Sequence, residues 1–161
     1  MSNVDPDIYS LSYSQVWSGF KSLLPISSYV VIFGAAFGLA ATQTGLDNSS
    51  IMLMSSFVFA GASQFATLEL WGAQISLIPL IVTVFFINAR HLLMGASLYP
   101  WLRHLPPIKR YSILLVISDA NWALSLQAFN RGESGMGLLF GGGIALWLAW
   151  VLGTGLGFYF G

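Results

Sequence analysis

The chain has 161 residues, 56% of them hydrophobic and only 7% charged, with a mean hydropathy of +0.75. Six basic and six acidic residues give zero net charge, which removes the electrostatic case for nucleic acid as a partner. The absence of cysteine excludes disulfides, thiolate metal sites and a cysteine nucleophile.

A soluble domain carries about a quarter charged residues. This chain has too little polar surface to cover a water-soluble globule, and several of its apolar runs approach the ~20 residues that span a bilayer as helix. A membrane barrel would instead show alternating segments of about ten residues. The expected class is therefore all-α: a polytopic helical membrane protein of about five membrane segments. Residues 1–15 read as a polar N-terminal tail and 16–161 as the transmembrane helical domain.

The tail carries Asp5 and Asp7 rather than a cationic patch, and the apolar run after Lys21 is too long for a signal peptide. Tyr13 and Trp17 sit where an aromatic belt would lie, with Lys21 placed to snorkel beside them. The first span is expected from Phe20 to Ala41, with Pro25 in its first turns. Gly34 and Gly38 form a small-xxx-small pair on it.

The second segment, Ser50 to Trp71, is apolar at first and is then interrupted by Gly61-Ala62-Ser63-Gln64. Small and hydrogen-bonding residues at membrane depth predict a broken or re-entrant helix, tolerated only where it is buried in protein or lines a cavity. A short turn is expected at Gly72–Gln74. The third segment, Ser76 to Leu98, holds Asn88, Arg90 and His91 in an apolar run. Tyr99 to Arg110 reads as a basic loop, kept out of helix by Pro100, Pro106 and Pro107, and the positive-inside rule places it in the cytoplasm. The N-terminus is then outside if three segments cross, and inside if the second is re-entrant.

The fourth segment, Tyr111 to Phe129, contains Ser118, Asp119 and Asn121. The fifth, Gly135 to Phe160, is weakened at Gly141-Gly142-Gly143, so that its helix is expected to start near Ile144. Gly153 and Gly157 give it a second small-residue pair.

An arginine at a helix centre costs about 2.5–3.5 kcal/mol on insertion scales, so Arg90 must be hidden or must work. Helical spacing puts Asn88, His91 and Gly95 on one face and Arg90 roughly 160° from Asn88. Arg90 can pair with an acid such as Asp119, or snorkel near the cytoplasmic end. Asp119 reads as a proton or ammonium acceptor, as a counter-ion for Arg90, or as both. Ser63 and Gln64 read either as the start of a half-helix that receives an anion or as a packed kink. Enzymatic patterns are missing: His91 and His104 make no metal motif, and neither a phosphate loop nor a nucleophile elbow is present. No cofactor or metal is expected.

Five stretches occur in order: PISSYVVIFGAAFGLAATQTGL (Pro25–Leu46), MSSFVFAGASQFA (Met54–Ala66), INARHLLMGASLYP (Ile87–Pro100), SDANWAL (Ser118–Leu124) and AWVLGTGLG (Ala149–Gly157). Together they resemble the AzlC-type branched-chain amino acid permease family. The resemblance implies an exporter of branched-chain amino acids, in some members also methionine. It further implies a bacterial inner-membrane location, drive by the proton gradient and a small AzlD-type membrane subunit as partner. Members often carry Asp-Glu where this chain has Asp119-Ala120, and the family continues past the position of Gly161. A fragment or a short member is therefore expected.

The site expected on this reading uses the Ser63–Gln64 break for a substrate carboxylate. Asp119, aided by Asn121, takes the ammonium or a proton; Arg90 balances Asp119, and His91 fixes the neighbouring helix face. The alternative is a non-transporting membrane subunit that packs against a partner chain, or another copy of itself, through Gly34/Gly38 and Gly153/Gly157.

Overall fold

The computed structural model describes residues 9–71 and 76–160. Among these, every regular element is helical: α1 (Tyr13–Gln43), α2 (Asn48–Phe57), α3 (Gly61–Leu70), α4 (Leu77–Asn88), α5 (Arg90–Leu102), α6 (Pro107–Leu115), α7 (Asp119–Asn130), a π-helix (Leu138–Gly142) and α8 (Gly143–Phe160). Three stretches are long and apolar enough to cross a membrane: 13–43, 77–102 and 138–160. The chain is thus an all-α membrane protein, as its composition required. The turn expected at Gly72–Gln74 lies outside the described residues.

The first helix starts earlier than expected because Ser12 and Gln15 cap it reciprocally. The Gln15 amide N–H donates to Ser12 Oγ at 3.3 Å, and the Ser12 N–H donates to Gln15 Oε1 at 3.0 Å. Pro25 therefore lies well inside α1 rather than in its first turns. The ammonium of Lys21 stands 5.1 Å over the Trp17 ring, a cation–π contact.

The expected loop 99–110 shrinks to residues 103–106. Pro100 is accommodated within the last turn of α5, and Pro107 opens α6, where its missing N–H costs nothing. Arg110 explains the tight connection. Its guanidinium donates to the carbonyls of Leu102 (3.2 Å), Arg103 and Leu105 (both 3.1 Å), at the end of α5 and in the connection that follows it.

Contacts divide the chain into two units. One comprises residues 1–25 and 91–146, the other 26–90 and 147–161. The first is built on Met94, Leu98, Leu102, Ile113, Phe129 and Leu139. The second is built on Phe37, Ala41, Ile51, Leu68 and Trp150. Within the second unit, α1 and α8 touch through backbone. A Cβ on Gly34 would lie 2.6 Å from the Trp150 carbonyl oxygen. A Cβ on Gly38, Gly153 or Gly157 would overlap the carbonyl of Thr154, Val31 or Ala35 respectively. These glycines join two helices of the same chain and are not an open face.

The second segment is broken, as expected, but three residues earlier. Val58–Ala60 are non-helical and Gly61 already belongs to α3. The fourth segment, expected as one helix, is also broken, at 116–118. The triple glycine forms the join between the π-helix and α8.

Candidate functional site

The site is best built from the break in the second unit. α2 ends at Phe57, where two of its late groups are satisfied. The Val58 N–H donates to the Met54 carbonyl at 2.9 Å, and the Trp147 indole N–H donates to the Ser56 carbonyl at 3.0 Å. α3 then restarts at Gly61 with Ala60 as its N-cap residue and no side-chain cap. An alanine supplies no oxygen to receive the first N–H groups of a helix. Ser63, which could do so from the N-cap position, sits inside the first turn and donates back to the Ala60 carbonyl at 2.9 Å.

A line of buried polar side chains runs beside this helix start. Asn88, at the end of α4, donates to Ser63 Oγ at 3.1 Å. Gln64 Nε2 donates to Ser55 Oγ of α2 at 3.2 Å, and Ser55 shares a hydrogen bond of 3.0 Å with Thr154 of α8. Ser55, Gln64 and Thr154 are wholly buried and Ser63 nearly so. Gln64 Oε1 and the Trp150 indole nitrogen are buried here without a hydrogen-bond partner. Each such atom costs about 1–3 kcal/mol when buried without a partner. Trp150 stacks on Phe37 (centroids 5.8 Å apart, 27° between planes) and covers Gly61, whose Cβ would lie 2.8 Å from the edge of the indole.

The break in the first unit is closed by one side chain. Asn121 Oδ1 accepts from the Ser118 N–H at 2.7 Å and from the Ser118 hydroxyl at 3.0 Å. Asn121 Nδ2 donates to the Val116 carbonyl at 3.0 Å and to the Leu139 carbonyl of the π-helix at 2.7 Å. A side-chain amide has two donor hydrogens and two acceptor positions, and all four are occupied. Asn121 thus caps a helix and completes the π-turn. In this arrangement it has nothing left to offer a ligand, so the help expected from it at Asp119 is positional.

Asp119 is exposed in the first turn of α7, where a carboxylate is favoured by the helix dipole. Arg90 and His91, both half-buried, open α5 after the single non-helical residue Ala89. Gly95, one turn on, faces Leu114 of α6 at van der Waals distance. Of the residues singled out in the sequence, the structure therefore gathers Ser63, Gln64 and Asn88 at the start of α3, in two hydrogen-bonded sets: Asn88 with Ser63, and Gln64 with Ser55 and Thr154. Sequence reasoning missed Ser55, Trp150 and Thr154. The spacing of Trp150 and Thr154 at i, i+4 on a glycine-lined helix was the available signal.

The sequence profile of the AzlC protein family matches residues 25–161. A membrane protein of Archaeoglobus fulgidus is 30% identical over 93% of this chain and 65% of its own length. The inner membrane protein YgaZ of Escherichia coli is 31% identical over 89% of the chain and 60% of its own length. The branched-chain amino acid transport protein AzlC of Bacillus subtilis is 28% identical over 92% and 60%. The chain thus spans less than two thirds of the length of these relatives. No solved structure matches it.

Proposed function

The chain belongs to the AzlC family, and on that premise we propose that it forms the membrane-embedded part of a permease for zwitterionic amino acids with apolar side chains. The observation that carries the reading is the start of α3. It is a helix N-terminus at a break in an apolar segment, without a side-chain cap, beside the wholly buried Gln64. Uncovered N–H groups at membrane depth are stable where they line a cavity, and they carry partial positive charge suited to a carboxylate. The first-turn N–H groups of Gly61, Ala62 and Ser63 receive the substrate carboxylate. Asn88 holds Ser63 in place at 3.1 Å. The name of the Bacillus subtilis relative supports branched-chain side chains as the cargo, and that of the Escherichia coli relative supports the inner membrane.

We assign the direction as export and the drive as the proton gradient. Asp119, the exposed acid of α7, carries the proton. His91 fixes the start of α5. A small AzlD-type membrane subunit completes the carrier.

Proteoliposomes loaded with radiolabelled leucine or valine test this, with the chain and its small partner reconstituted together. Efflux accelerated by an outward-to-inward proton gradient is expected. Efflux unchanged by Asp119→Asn would remove the proton role. No efflux of either amino acid with the partner present would overturn the permease reading.

A further inference from the structure

We infer that Gln64 and Trp150 form a head-group reader, which admits ligands carrying both an ammonium and a carboxylate on one carbon and rejects those carrying only one of them. The inference rests on the permease reading above and goes beyond it by assigning the two contacts that define the substrate class.

Both residues are more than nine-tenths buried, and each keeps one polar atom without a partner. The two atoms are complementary in kind. The indole nitrogen of Trp150 is a donor only, and the amide oxygen of Gln64 is an acceptor only. Both residues belong to one packing seam. Gly61 and Gln64 are three apart on α3, Trp150 and Thr154 four apart on α8, and each such pair shares a helix face. The six-membered ring of the Trp150 indole lies against Gly61 through its carbon edge, and Gln64 reaches Thr154 through Ser55. The seam therefore runs alongside the uncapped first turn of α3.

A ligand seated there meets three kinds of group. The α3 N–H groups and the Trp150 N–H face an anion, and the Gln64 oxygen faces a cation or a donor. A carboxylate with an ammonium on the adjacent carbon satisfies all of them, and the neutral total avoids burying a net charge. Phe37, stacked on Trp150, and Phe65, edge-on to Phe37 at 5.5 Å, supply apolar walls beside the head group. An α-keto acid leaves the Gln64 oxygen unsatisfied. An amine leaves the Trp150 N–H and the helix start unsatisfied. A site built to pair with a substrate group rejects the analogue that lacks it, because the protein's own polar atom is then stranded.

The test uses radiolabelled leucine binding to the detergent-solubilised chain with its small partner. Two competitors each lack one charge: 4-methyl-2-oxopentanoate has no ammonium, and 3-methylbutylamine has no carboxylate. Wild type is expected to bind leucine at least about tenfold more tightly than either. Trp150→Phe, which keeps the ring stacking, is expected to weaken leucine and the keto acid by about tenfold and leave the amine unchanged. Gln64→Leu is expected to weaken leucine and the amine and leave the keto acid unchanged. Melting temperature and size-exclusion profile show that each variant is folded, and Gln64→Met, of equal length, replaces Gln64→Leu if that variant does not fold. If leucine binds but the variants weaken all three ligands equally, or none, the head-group reader is overturned while the permease reading stands. If Gln64→Leu weakens the keto acid rather than the amine, the assignment of the amide to the ammonium is overturned. If wild type binds none of the three, both readings fall.

Discussion

The two breaks use the same device, a helix interrupted by three non-helical residues, and finish it in opposite ways. At 116–118 the freed backbone is met by Asn121, which caps the new helix and ties it to Leu139 with all four of its hydrogen-bonding positions in use. At 58–60 only the acceptor side is finished. Trp147 meets the Ser56 carbonyl, while α3 begins without a cap and Gln64 and Trp150 each hold one unpaired atom. A break that is satisfied internally serves architecture. A break left one-sided carries a standing cost, and proteins keep such costs chiefly where a ligand removes them.

The largest effect is expected at Asn121. Asn121→Leu strands the Val116 and Leu139 carbonyls and the Ser118 N–H together. A loss of more than about 3 kcal/mol in unfolding free energy is expected, read from denaturant titration in detergent micelles. A loss below about 1 kcal/mol would show that the second break does not depend on its amide.

Next in size is a pair of methyl groups. The Cβ added by Gly143→Ala overlaps the Val116 carbonyl and comes within 2.7 Å of Asn121 Nδ2, both fixed. About 2 kcal/mol of destabilisation is expected. The Cβ of Gly61→Ala meets only the edge of the Trp150 indole at 2.8 Å. A ring edge can tilt where a carbonyl cannot, so the same titration is expected to show about 1 kcal/mol or less, with leucine binding weakened instead. Equal costs at the two glycines would erase the distinction between a sealed and an open break.

How much of this was legible in the sequence follows from the same residues. Gly61–Gln64 stood out because small and amide-bearing residues interrupt an apolar run, and the structure places a helix start there. The true gap lies just before it, at Val58–Ala60, where three apolar residues give no composition signal. The second break was hidden inside SDANWAL, read as candidate binding residues near the middle of one helix. Ser118 and Asn121 stand at i and i+3, the spacing at which an N-terminal residue is capped, and that spacing was the readable sign. Ser12 and Gln15 carry the same sign at the start of α1. The i, i+4 spacing of Trp150 and Thr154 showed a shared helix face, but tertiary packing, not local pattern, brings that face against α2 and α3. Gly34, Gly38, Gly153 and Gly157 were read as small-residue pairs, and periodicity alone could not say that α1 and α8 approach each other through them.

Gln64→Leu probes the open break directly. It removes one hydrogen bond, to Ser55, and with it an acceptor that had no partner. Removing an unsatisfied buried atom offsets the lost bond, so a net change within about 1 kcal/mol is expected. A loss as large as that from Asn121→Leu would mean that Gln64, too, is held for architecture.

The smallest effect belongs to a third helix start, which lies outside the breaks and serves as their control. α2 opens in the conventional way: Asp47 Oδ1 accepts from the Ser50 N–H at 3.0 Å and Oδ2 from the Ser50 hydroxyl at 2.6 Å. The Ser50 hydroxyl, and after it the backbone N–H groups, hold the Asp47 carboxyl below its ordinary pKa. A carboxyl whose folded value is depressed contributes stability above its unfolded pKa and loses it as pH falls through the unfolded and then the folded value. Asp47→Asn keeps an N-cap side chain but has no carboxyl to titrate. The difference in unfolding midpoint between wild type and this variant is therefore expected to shrink as pH falls from neutrality to about 3. Because Asp47 is fully exposed, added salt should shrink it as well. A difference that persists at low pH would place the Asp47 contribution in packing rather than in its charge. The control would then no longer separate a capped helix start from the uncapped one at Gly61.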